Sequence, residues 1–103
     1  MPAIAVSPDA LPTEVRHYPD RSRYELLLDG ELVGVADYRS GDGLLEFPHT
    51  EIDRAHRGRG LGAILVAGAL DDVRARGQRI VATCWYVADF VEAHPAYRDL
   101  LAG

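Results

Sequence analysis

The sequence predicts an α+β domain: antiparallel strands in its N-terminal half, then a well-packed helix, a further strand and a short C-terminal helix. Three observations predict it. Short β-favouring runs occupy residues 13–52, with the turn dipeptide Asp29-Gly30 between two of them. At Leu61 the pattern changes to helix-formers that continue to Arg76, and Gly77 supplies the stop. Between the two halves stands His56-Arg57-Gly58-Arg59-Gly60-Leu61-Gly62, which packs three glycines and two arginines into seven residues.

The first twelve residues set Pro2, Pro8 and Pro12 among small side chains, a composition that resists regular structure and reads as a flexible N-terminal arm. Residues 13–103 then make one domain. Asp29-Gly30 tolerates the positive φ angles of a type I′ hairpin turn, and Arg39 to Gly43 ("RSGDG") forms a second turn. "LLEFPHTEID" follows as a strand in which Pro48, without an N–H, marks a bulge or an edge. Three or four antiparallel strands therefore precede the glycine run. Period-two alternation on the last of them puts Phe47, His49 and Glu51 on one face and Thr50 and Ile52 on the other.

The helix from Leu61 is apolar on nearly every side in its first half, so that half packs deeply against the sheet; Asp71 and Asp72 appear only later. Arg74 and Arg76 lie in its last turn, where the helix dipole favours cations. "RIVATCW" reads as a buried strand that ends at Cys84. "YVADFVEAH" reads as a short helix, with Val87, Phe90 and Val91 on one side, halted by Pro95.

Composition narrows the function classes. A chain of 103 residues with 48% hydrophobic and 26% charged residues can bury one modest core. Eleven Lys and Arg against 16 Asp and Glu give a formal charge of -5, which argues against nucleic-acid binding, since that depends on a broad basic face. Any anion site must be local. The single cysteine, Cys84, can form no intramolecular disulfide and lacks zinc-site spacing, so no metal is expected. Neither a signal-like start nor a membrane-spanning run is present in the sequence, and a cytoplasmic location is the expectation. The apolar helix leaves room for a homodimer as well as a monomer.

The glycine run carries the chemistry. Glycines allow close approach to the backbone, and the first N–H groups of a helix have no intrahelical partner, so a small anion is attracted there. Arg57 and Arg59, with Arg54 and His56 beside them, can bond phosphate oxygens in bidentate fashion. A plain strand-to-helix turn with solvated arginines explains an isolated glycine cluster equally well. A P-loop is excluded, because Ala63-Ile64 follows Gly62 where Lys-Ser/Thr is needed. A dinucleotide fingerprint is disfavoured, because the spacing is Gly-x-Gly-x-Gly and it follows antiparallel strands rather than opening a strand-helix alternation.

Arg57-Gly58-Arg59-Gly60-Leu61-Gly62, read as Arg-x-x-Gly-x-Gly between "HTEID" and a long apolar helix, closely resembles the acetyl-CoA motif of the GNAT superfamily of N-acetyltransferases. Together with His49-Thr50, Cys84 and His94-Pro95, the second half of the chain resembles the short, single-domain GNAT-like branch. The resemblance implies a compact GNAT-like fold, with a mixed sheet in which the strand before the glycine run and the strand ending near Cys84 splay apart. The pantetheine arm of coenzyme A would lie between them against backbone groups around Thr50 to Ile52. The amides of Gly58, Gly60, Leu61 and Gly62, with Arg57 and Arg59, would hold the pyrophosphate. Acetyl-CoA is thus the implied cofactor, and the implied reaction is acetyl transfer to an amine on a small molecule or peptide.

Such a transfer needs a proton acceptor for the amine and a proton source for the leaving thiolate. His49 and Glu51, on one face of the strand, are candidate acceptors; taken singly, each reads more simply as a structural histidine and a solvated carboxylate. By the resemblance Cys84 comes close to the coenzyme sulfur, as a proton donor or an acyl acceptor, although free cysteines are as often inert core residues. Many family members carry a tyrosine in the helix that follows; here Phe90 or Val91 falls at that position, which leaves the role to Cys84 or Tyr97. Trp85 and Tyr86 either wall the cleft or fill the core. The N-terminal half is too short for the helices that usually wall the acceptor site, so that side is expected to be open, shared with a partner or unused. A non-catalytic coenzyme A or acyl-CoA binding module and a partner-binding domain are the competing readings.

Overall fold

The computed structural model describes residues 12–102, so the expected N-terminal arm, all but Pro12, lies outside the described residues. Five strands form one sheet in sequence order: β1 (Thr13–Tyr18), β2 (Arg23–Leu28), β3 (Glu31–Gly41), β4 (Leu44–Ile52) and β5 (Arg79–Val81). The first four pair antiparallel and β5 joins β4 in parallel. A parallel neighbour requires a crossover, and α1 (Leu61–Ala75) provides it. After β5 come α2 (Trp85–Ala93) and a 3-10 segment (Pro95–Leu100). The fold is the α+β arrangement that the sequence predicts.

Local chemistry sets the turns. Asp29 and Gly30 take φ of 50° and 83°, and Asp42 and Gly43 take 54° and 76°, so both tight hairpins use the left-handed pair that matches strand twist. The strand "LLEFPHTEID" forms as expected, but its faces do not alternate through. Asp37 pairs with His49 while Arg39 pairs with Glu46, so one residue of β3 spans two of β4. The extra residue makes a bulge at Phe47-Pro48, where proline has no N–H to give to the ladder. Leu45 and Phe47 are buried, and beyond the bulge Thr50 and Ile52, not His49 and Glu51, turn toward the core. The expectation that Phe47, His49 and Glu51 share a face is thereby corrected.

One face of the sheet carries the core. Tyr24, Leu26, Ala36, Tyr38, Leu45, Phe47 and Ile80 pack there against Leu65, Val66, Ala69, Leu70 and Val73 of α1. Val87, Phe90 and Val91 of α2 close the end of the same cluster. Burying side chains of this size contributes about 1.5–3 kcal/mol each. The core therefore fixes α1 and α2 against β4 and β5, and so determines where their N-termini meet.

Candidate functional site

β4 and β5 are paired only over Leu44–Glu46 and Arg79–Val81. Just beyond, the Phe47 carbonyl accepts the Cys84 N–H at 3.0 Å and the Thr83 hydroxyl at 3.4 Å, and then the two chains part. Cys84 does not end a strand, as the sequence suggested; β5 stops at Val81, and Cys84 is the N-cap of α2. The reason is the same bulge. It turns β4 away at Pro48, so residues after Val81 have no ladder to continue and the chain enters a helix.

The separation leaves an edge of β4 open. The Asp53 N–H bonds the Val33 carbonyl at 2.7 Å, so by strand alternation Glu51 and His49 also turn their backbone groups to β3. The main-chain groups of Thr50 and Ile52 then face the gap. The Ile52 carbonyl is taken by Arg57 Nε at 3.0 Å. The Thr50 Oγ1 atom is buried without a hydrogen-bond partner. A buried hydroxyl without a protein partner, beside main-chain groups that face away from β3, can serve a polar ligand.

At the end of this gap lies the start of α1. Asp53 caps the 3-10 turn Arg54–His56 by accepting the Ala55 N–H at 3.4 Å, and the chain then runs through Gly58 and Gly60, at φ 82° and 76°. Gly60 is the N-cap of α1, in the left-handed region, so it offers no side chain to the free amides. The first helical bond is Ile64 N–H to the Gly60 carbonyl. The N–H groups of Leu61, Gly62 and Ala63 thus remain available, at the positive end of the helix dipole. Arg57 uses only Nε on Ile52, which leaves its terminal nitrogens free, and Arg59 forms no ion pair among the described residues.

Gly62 differs from its neighbours. A Cβ there would overlap the hydroxyl of Tyr86, whereas Gly58 and Gly60 have open space around them. The third glycine of the run makes room for a tyrosine from α2, a role that sequence reasoning missed.

His49 and Glu51 do come together. His49 Nε2 lies 3.1 Å from Glu51 Oε1, with the side chains 53% and 55% exposed, so the pair stands in solvent on the sheet face opposite α1. Cys84 is half-buried against the core and holds the closed end of the gap through its N–H. Tyr97 is not available to replace the missing tyrosine: its hydroxyl donates to Asp71 at 2.8 Å, and burial together with that bond holds its pKa above the ordinary value. His94 caps α2, with Nδ1 2.8 Å from the Phe90 carbonyl and its ring stacked on Phe90, which makes it structural. Trp85 is 73% exposed at the start of α2 and fills no core.

A sequence profile of the GCN5-related N-acetyl-transferase family matches residues 23–100. The chain belongs to this family. Protein NATD1 of Bos taurus is 35% identical over 98 residues, covering 88% of this chain and 86% of the relative. Protein NATD1 of Mus musculus is 33% identical over 100 residues, with 90% of each chain covered. Among solved structures, a GCN5-like protein of Staphylococcus aureus superposes with a TM-score of 0.66 at 20% identity, covering 87% of this chain and 88% of its own. N-acetylglutamate synthase of Neisseria gonorrhoeae, complexed with coenzyme A and N-acetyl-glutamate, gives a TM-score of 0.52 at 23% identity over 59% of this chain and 15% of the enzyme. The family fold is thus shown, and structural neighbours carry the coenzyme.

Proposed function

We propose that this protein binds acetyl-CoA in the gap between β4 and α2 and transfers the acetyl group to an amine. One observation carries the reading: an unpaired strand edge leads directly to an uncapped, arginine-flanked helix N-terminus. The edge matches the amides of a pantetheine arm and the helix end matches a pyrophosphate, and the two are adjacent in the order that coenzyme A requires. The chemistry of the donors fits the group, because every free donor at the helix end is an N–H or a guanidinium and none is a carboxylate.

Acetyl-CoA supplies the activated acyl group. The free N–H groups of Leu61, Gly62 and Ala63, with Arg57 and Arg59, would hold its phosphates, and the main-chain groups of Thr50 with the N–H of Ile52 would orient the arm. The His49–Glu51 pair, hydrogen-bonded and open to solvent, would take the proton from an incoming ammonium, with Glu51 orienting the imidazole. Cys84 sits at the closed end of the gap, where a thiol can return a proton to a departing thiolate. The acceptor reaches the pair from the exposed sheet face, which accommodates an amine on a small molecule or a peptide.

Two measurements test this reading. Calorimetric titration with acetyl-CoA should give saturable binding that is weakened in an Arg57→Ala, Arg59→Ala variant. Purified protein with acetyl-CoA and a panel of amines should release free coenzyme A above the buffer rate. Binding without amine-dependent release would make the protein a coenzyme-binding module, and no binding at all would end the proposal.

A further inference from the structure

Four tyrosine hydroxyls lie in or beside the core, and three are committed. Tyr24 donates to Asp72 at 2.7 Å, Tyr38 pairs with His17 Nε2 at 2.6 Å, and Tyr97 donates to Asp71 at 2.8 Å. The hydroxyl of Tyr86, half-buried on the first turn of α2, has no hydrogen-bond partner among the described residues. Unlike Thr50 Oγ1 it is not sealed from outside, so a bound group can reach it.

Its position indicates which partner. The hydroxyl occupies the place where a Cβ of Gly62 would stand. Cα–Cβ bonds in a helix tilt toward the N-terminus, so an atom in that place lies on the N-terminal side of the first turn of α1. That is the side on which the Leu61, Gly62 and Ala63 N–H groups are free. The Tyr86 ring is held by its neighbours: the Trp85 ring lies 5.8 Å away at 48°, and Tyr86 packs against the core. A phenol O–H fixed beside a set of backbone donors adds a directional contact to an oxyanion, and hydrogen bonds to charged acceptors are the stronger class.

We infer that Tyr86 is a coenzyme-binding residue whose hydroxyl donates to the pyrophosphate oxygens at the start of α1. The inference rests on the assignment of that helix end to coenzyme A. It also gives Gly62 a purpose that its backbone does not require: any side chain there would displace the hydroxyl from the phosphate.

Tyr86→Phe tests it, because the ring and its packing are kept and only the unpartnered O–H is lost. Calorimetry on wild type and variant uses three probes: coenzyme A, ADP with the pyrophosphate but no pantetheine arm, and pantetheine with the arm but no phosphate. The expected result is an unchanged melting temperature, about tenfold weaker binding of coenzyme A and ADP, and unchanged binding of pantetheine. Affinities for coenzyme A and ADP within twofold of wild type would overturn the inference. So would a loss seen with pantetheine and not with ADP, which would move the hydroxyl to the arm. Should the variant melt lower, the ratio of ADP to pantetheine affinity within each protein still decides, since only a lost phosphate contact lowers it. Wild-type protein that binds none of the three would instead remove the coenzyme reading itself.

Discussion

Gly60 is where a single backbone angle decides the site. At φ 76° it turns the chain into α1 while leaving the first amides uncovered. Alanine there would cost about 1–2 kcal/mol for the left-handed conformation, although the space around it is open. Gly60→Ala is therefore expected to lower the melting temperature by roughly 4–8 °C per kcal/mol for a domain of this size and to weaken acetyl-CoA binding in parallel, checked by thermal scans with and without ligand. Glu51 makes a second prediction. If the His49–Glu51 pair accepts the amine proton, Glu51→Gln lowers kcat by about a hundredfold while the affinity for acetyl-CoA stays at the wild-type level. An unchanged kcat would return the pair to a surface role.

At the scale of elements, β1 meets α1 through Val15, which packs closely over Gly68, and through a polar cluster around His17. His17 of β1 stacks on Tyr24 with ring centroids 4.3 Å apart, its Nε2 meets the Tyr38 hydroxyl, and its Nδ1 lies 3.3 Å from Asp72 of α1. Arg76 holds the same Asp72 oxygen at 2.7 Å. Burial and then the Arg76 charge push the His17 pKa below the ordinary histidine value, against a smaller opposite pull from Asp72. A lowered folded pKa means that the unfolded chain takes up the proton first, so this contribution is complete above pH about 6.5 and is lost as the pH falls below it. Wild type should melt at progressively lower temperature from pH 7 to 5, and His17→Gln should flatten that slope. For Asp72, burial raises the pKa, but the hydrogen bonds from Tyr24 and Arg76 outweigh it and the net shift is downward. Its stabilising share is lost only in much stronger acid, below the ordinary carboxylate range.

The same scale shows what was legible in the sequence. Asp29-Gly30, the run from Leu61 to the positive-φ Gly77, and Pro48 as a bulge were readable because each rests on a local backbone preference. The side chains beyond Pro48 were not, because a bulge shifts every later residue to the other face and its register depends on the partner strand. The end of β5 was missed for a related reason: "RIVATCW" has the right residues for a strand, but the strand it would pair with has turned away. The Gly62–Tyr86 contact joins residues 24 positions apart through helix packing, and no local pattern marks it.

Across the whole molecule, one small core supports everything. Leu65 is fully buried in the second turn of α1, against the sheet. Leu65→Ala should cost about 2–5 kcal/mol, a large share of the 5–15 kcal/mol typical of a single domain, and should reduce ligand affinity as well as stability in a denaturant titration. The charge distribution acts at this scale too. A chain of net charge -5 concentrates Arg54, Arg57 and Arg59 at one helix end, and the proposed site asks that end to hold one small polyanion. The polyanion and its arm would lie along the open edge of β4 and the start of α1. The most direct measurement is a titration of acetyl-CoA into isotope-labelled protein, following backbone amide resonances. Shifts confined to Thr50 to Ile52, to Gly58 through Ala63 and to Cys84 through Tyr86 are predicted, whereas shifts centred on the far end of α1, or none at saturating ligand, would contradict it.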